Sequence, residues 1–164
     1  MIMSEVNLYE GIVKNSIYNE FTEKTGFNLF NFAANNCSIE ECLSICYVLC
    51  PDFIEVNGYI FISDLFSAIG EEAINKVERL EKQFNYDKKK IEQWVNSWSL
   101  GDFFIGKYCA SMENEKIVAQ FGEVLIFNWK RRVKELFPDR KIIVEIGNEI
   151  MGESGFTITL YEIL

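Results

Sequence analysis

The sequence predicts an α+β fold: a mostly antiparallel sheet built from two β-hairpins, with several helices packed against it. Three observations carry this expectation. Asn57-Gly58 stands between Phe53-Ile54-Glu55-Val56 and Tyr59-Ile60-Phe61-Ile62, two runs of strand-forming residues. Asn-Gly tolerates positive φ at both positions, as a type I′ turn requires. Residues 141–147 and 156–163 form a second pair of β-rich runs, joined by 148–155. Between the two pairs, apolar residues recur at spacings of three and four, the helical period.

The elements follow in order. Val6, Tyr9, Val13, Ile17 and Phe21 predict an amphipathic helix over residues 5–24, stopped at Gly26. Residues 27–37 read as a polar-aromatic connection. Ser38-Ile39-Glu40-Glu41 is a capping box: serine oxygen and glutamate each satisfy an amide that the helix start would orphan. It opens a short helix over 39–50, which Pro51 ends because proline has no N–H to continue the ladder. After the first hairpin, Ser63 is placed to cap a helical turn over 64–69. Ile74, Val77, Leu80 and Phe84 share one face of a helix over 71–85. Asp87 caps the next, which runs through Ile91, Trp94, Val95 and Trp98. Residues 99–110 carry two glycines and read as a loop with an extended piece. Ser111 is expected to cap a long helix over 112–137, striped by Val118, Phe121, Leu125, Trp129, Val133 and Leu136. Gly122 lies inside it, at a cost of about 1 kcal/mol relative to alanine, which predicts close approach to another element. Pro138 ends this helix. In the last strand Thr157 and Thr159 alternate with Phe156, Ile158 and Leu160, which predicts one wet face. At 164 residues, with no repeat or linker, the chain reads as a single domain over 1–164.

Composition narrows the chemistry. There is no histidine, so Ser-His-Asp and Cys-His catalysis, the HExxH zinc site and the Cys₂His₂ finger are excluded together. The net charge is −9, and residues 1–70 hold nine acids against two bases. Such a surface repels phosphate backbones and attracts basic partners. No apolar run is long enough for a membrane helix. Met1-Ile2-Met3-Ser4-Glu5 lacks the order of a signal peptide. With five cysteines in apolar surroundings, a reduced, cytoplasmic protein is the expectation.

The candidate chemical groups are few. Cys42, Cys46 and Cys50 recur at i, i+4 and i+8, with Cys37 just ahead. Three thiolates strung along about 12 Å of helix cannot all reach one ion, so these are expected to pack as small apolar core residues, with no metal and no cofactor. Cys109, beside Lys107 and Tyr108, is the least implausible nucleophile, although no histidine can activate it. The chain holds 25 acids, but nothing nominates a glycosidase-like pair. The basic run Lys130-Arg131-Arg132-Val133-Lys134, with Arg140-Lys141 beyond, reads as a solvated face near a helix end rather than a nucleic-acid site. Residues 147–155 contain glycines but lack the lysine and hydroxyl spacing of a phosphate loop. Trp94 and Trp98 read as packing residues rather than a stacking platform.

A helix carrying Trp129 and Leu136, then Phe137-Pro138-Asp139 and the strands around Ile142–Ile146 and Phe156–Tyr161, resembles the tail of small bacterial proteins of unassigned activity. Cys50-Pro51-Asp52-Phe53-Ile54-Glu55 leading into a hairpin fits the same likeness. Together these stretches cover about a third of the chain. Some such proteins look like immunity partners of bacterial toxins, and the resemblance transfers no activity. The expected function is therefore non-catalytic protein binding, in its most concrete form an immunity-type inhibitor of a basic toxin. Glu40, Glu41, Asp52 and Glu55 are its partner-binding residues. The alternatives are a small-ligand-binding protein, a carboxylate-dependent enzyme, or a homo-oligomer that hides aromatic surface.

Overall fold

The computed structural model describes residues 6–107 and 110–163. Its α+β architecture places helices α1 (Leu29–Asn36) and α2 (Ile39–Leu49) first. The hairpin β1 (Phe53–Val56) and β2 (Tyr59–Ile62) follows, then α3 (Ser63–Phe66), α4 (Gly70–Gln83) and α5 (Lys88–Asn96). The short β3 (Trp98–Ser99), the long α6 (Glu115–Leu136), and the hairpin β4 (Ile142–Asn148) and β5 (Phe156–Glu162) complete it. The strands form two antiparallel sheets, β1-β2 and β3-β5-β4.

The first hairpin forms as the sequence dictates. Asn57 and Gly58 take φ of 51° and 83°, and Val56 pairs with Tyr59. All four residues of β2 are buried, because the strand separates two cores. Tyr59 and Phe61 face Phe66, Val77 and Ile91. Ile60 and Ile62 face Leu125, Trp129, Ile158 and Leu160. Strand alternation thus assigns odd and even positions to different clusters. Phe61 stacks on Phe66 with ring centroids 4.4 Å apart.

Why two sheets form instead of one is explained by α5. Asp87 caps it, accepting from the Lys90 amide at 3.1 Å. Glu92 and Asn96, one turn apart, are both fully buried. Glu92 accepts from the Ile60 amide at 2.9 Å and from the Glu162 amide at 2.6 Å. Asn96 accepts from the Ile62 amide at 2.9 Å and donates to the carbonyls of Ile60 and Leu160 at 2.9 and 3.3 Å. Two side chains therefore do the work of a missing strand ladder between the edges of β2 and β5. Burial pushes the Glu92 carboxyl up, against the lowering effect of its two amide donors.

Below this seam lies a charged clamp. Arg140 holds Glu162 through two bonds of 2.9 and 2.6 Å, and Lys88 reaches the same carboxylate at 2.5 Å. Both cations also donate to the Gly58 carbonyl, which fixes the first turn against β5. The Arg140 hydrogen bonds, followed by Lys88, pull the Glu162 carboxyl down to about 2. A lowered folded-state value means that the stabilisation is complete above the ordinary 4.5 and is lost as pH falls toward 2. With solvent screening the effect is on the order of 2 kcal/mol. Acid titration monitored by circular dichroism is expected to show this loss between pH 4.5 and 2 in the wild type and a shallower one in Glu162→Gln. Equal slopes in the two proteins would show that the clamp contributes nothing.

Several elements differ from the sequence expectation. The helix expected over 5–24 is only a 3₁₀ segment at Asn15–Glu20, because Gly11, Asn15 and Ser16 interrupt the stripe with poor helix formers. The connection at 27–37 contains α1 instead, capped by Asn28, whose side chain accepts from the Asn31 amide at 3.0 Å. Asn114, not Ser111, caps α6. Ile74 is exposed while Ala73 takes its place among the buried residues of α4. Thr157 and Thr159 are fully buried rather than wet, because β5 is covered on that side by α5, and Ser97 Oγ lies 3.1 Å from Thr159 Oγ1. Gly122 is a close approach, as expected: a Cβ there would sit 2.7 Å from Ile146 Cδ1.

Candidate functional site

No residue between 6 and 50 is buried. The cores belong to residues 53–160, with Val48 and Leu49 at their margin, and the N-terminal third forms an outer layer. Tyr18, Phe21 and Phe32 pack edge to face with centroids 5.0–6.2 Å apart. Lys116 of α6 pairs with Glu20 at 2.7 Å. The firmest tie is Trp129, 3% exposed, whose indole donates to the Val48 carbonyl at 2.8 Å.

On this layer α2 is the candidate docking element. Its sequence, IEECLSICYVL, is apolar nearly all round. A helix of that kind is ordinarily buried. Yet none of it is buried: Ile39 is 72% and Leu43 63% exposed, and Phe27 and Phe30, earlier in the outer layer, are 93% and 89% exposed. The thiols of Cys37, Cys42, Cys46 and Cys50 are also exposed. This overturns their expected core packing. The body of the fold packs on the last turn of α2, Lys107 pairs with Glu41 in its first turn, and the cysteines stay exposed.

The four acids expected to bind a partner flank this helix. Glu40, in the first turn, is exposed and forms no ion pair with a described residue. Glu41 closes the capping box, bonding the Ser38 amide at 2.9 Å, and pairs with Lys107. The Lys107 hydrogen bond, then that of Ser38, holds its carboxyl down at about 2. Asp52 is exposed just past the helix. Glu55, half-exposed on β1, accepts from Arg140 at 2.9 Å. Glu40-Glu41 and Asp52-Glu55 thus sit at opposite ends of a helix about 16 Å long. Two of the four are already held inside the molecule. At the Asp52 end, Tyr47 donates to Asp64, a bond that pushes its hydroxyl up to about 12.

A concavity of about 510 Å³ lies between β3, the start of α6 and the loop before β5. Leu100, Phe104, Ile117, Val118 and Phe121 make its wall apolar, and Asp102 is its one ionisable side chain among the described residues. Ser99 donates to the Ser154 carbonyl at 2.8 Å. Cys109 lies outside the described residues. Trp94 is half-exposed against Phe84, and Trp98 packs on Phe103 at 6.0 Å. Lys130, Arg131 and Lys134 are exposed on α6. Among the described residues, no helix is long and apolar enough to cross a membrane, and no three His, Cys, Asp or Glu side chains are placed to hold a metal ion.

The sequence expectation misses this apolar surface: the cysteine spacing of α2 reads as a core stripe, and nothing local shows that the face stays exposed. In comparisons with known proteins, the chain matches no protein-family model, no curated protein and no solved structure.

Proposed function

We propose that the chain is a non-catalytic binding protein whose outer layer, centred on α2, docks a basic protein; an immunity-type inhibitor of a basic bacterial toxin is its most concrete form. The observation that carries this reading is the exposure of Ile39 and Leu43 on the helix that also carries Glu40. Leaving such apolar area in water forgoes about 25 cal/mol per Å², and patches of this kind mark interaction sites. The acids around it would steer a cationic partner, and the apolar side chains would hold it.

Biolayer interferometry against the basic protein captured from the native host tests the proposal. Glu40→Lys and Asp52→Lys are expected to slow association several-fold at low salt and little at high salt. Leu43→Asp is expected to speed dissociation by at least about tenfold. Indifference of the captured partner to all three substitutions would refute the docking face. Light scattering addresses self-association, which would place a second copy there instead.

The concavity at Phe121 favours a second reading, a small-ligand site. A single carboxylate in an apolar wall cannot divide acid and base roles, so binding rather than catalysis is what it supports. Nile red is expected to bind the wild type with micromolar affinity and to be lost in Val118→Trp. Equal dye binding by both proteins would discard this reading.

A further inference from the structure

Cys37 and Cys42 flank the capping box of α2. Cys37 immediately precedes the Ser38 cap, and Cys42 is the fourth residue of the helix. In helices with a capping box, apolar side chains at these two positions often pack on each other and fix the angle at which the chain enters. Here both positions carry exposed thiols, and Cys42 is among the groups that act on the Cys37 thiol. The reciprocal Ser38–Glu41 bonds, 2.9 and 3.1 Å, hold the backbone between them. Cys46 and Cys50 continue at helical i+4 steps. Such neighbours keep their Cβ atoms about 5–6 Å apart, beyond the roughly 3.5–4.5 Å that a disulfide takes. Cys37 lies outside the helix and escapes that restraint.

We propose that Cys37 and Cys42 form a dithiol modification site, which a hydroperoxide converts to an intramolecular disulfide that locks the start of α2. Partial burial, Cys42 and the Glu41 carboxylate push the Cys37 thiol up, against a smaller opposing effect of Lys107. A thiol raised in this way forms thiolate less readily, so Cys37 is assigned the resolving role. Cys42 attacks first: its thiolate takes an oxygen from hydrogen peroxide, an S–O bond forms, the O–O bond breaks and hydroxide leaves. The Cys37 sulfur then attacks the Cys42 sulfenic acid. An S–S bond forms, the S–O bond breaks, and the Cys37 proton departs with the oxygen as water. Two thiols and one peroxide yield one disulfide and two waters. The site is independent of what docks on α2, because its chemistry needs no partner.

The test uses the reduced full-length chain with one equivalent of hydrogen peroxide. Free thiols are expected to fall by two per molecule and the mass by about 2 Da, both restored by dithiothreitol. Cleavage after glutamate cuts between the two cysteines, at Glu40 or Glu41. Their peptides should stay linked until reduced. Cys46→Ser/Cys50→Ser should retain this link, and Cys42→Ser should lose it. Amide exchange over residues 39–42 should slow several-fold on oxidation. Linkage of Cys37 or Cys42 to any other cysteine, dimers through Cys42, or Cys42 sulfinic acid with Cys37 still reduced would each overturn the assignment. Unchanged exchange in the linked protein would overturn the lock.

Discussion

Asn96→Ala is expected to destabilise the fold by about 3–5 kcal/mol, the largest effect of any single substitution on the seam between the sheets. The reason lies in the hairpin register. With Val56–Tyr59 closing the turn, Ile54–Phe61 is the next bonded pair, and Ile60 and Ile62 point their amides and carbonyls away from β1. Those groups meet no strand. Asn96 supplies an acceptor to the Ile62 amide and a donor to the Ile60 carbonyl, and it reaches the Leu160 carbonyl of the other sheet. Alanine leaves all three buried groups unpaired, at about 1–3 kcal/mol each before the structure relaxes. Domains of this size hold only about 5–15 kcal/mol in total. The urea midpoint should therefore fall by roughly 2 M. Asn96→Asp keeps the acceptor but aims a second oxygen at two carbonyls, so it should be destabilised at neutral pH and recover on acidification. A cost for Asn96→Ala below about 1 kcal/mol would show that water takes over these bonds.

This seam also marks the limit of what the sequence could disclose. The first hairpin, the capping box, the Asp87 cap, the long helix and the C-terminal hairpin are local objects, set by turn chemistry, capping and period. Each is legible within a window of about ten residues. Glu92 and Asn96 look like ordinary polar positions of a surface helix. Only the arrival of β2 on one side and β5 on the other makes them interior hydrogen-bonding groups. The same tertiary event buries Thr157 and Thr159, whose alternation alone suggested a wet face. Core packing of Cys42, Cys46 and Cys50, expected from their helical spacing, fails for the converse reason. Among the described residues no element covers α2, so an apolar helix stays exposed with its four neighbouring thiols. Of the four acids, the sequence places Glu41 in its cap, but the pairing of Glu55 with Arg140 spans 85 residues and leaves no local trace.

Trp129→Ala is the second large effect, expected at about 3–5 kcal/mol for an aromatic side chain lost from a core. Its consequence for function depends on dividing that cost. The ring packs in the core that β2 and β5 share with α6. Its indole N–H serves a different element, bonding the Val48 carbonyl in the last turn of α2, where carbonyls have no partner within the helix. Trp129→Phe separates the roles. It keeps much of the packing and removes one hydrogen bond, worth about 1 kcal/mol net. Global stability should fall little, while amide exchange in α2 should rise several-fold because its main tether to α6 is gone. If α2 is the docking element, the phenylalanine variant should bind the partner more weakly, with its melting temperature nearly intact. Should α2 exchange rise only in step with global unfolding, the outer layer and the body open together, and the carbonyl bond is no separate tether.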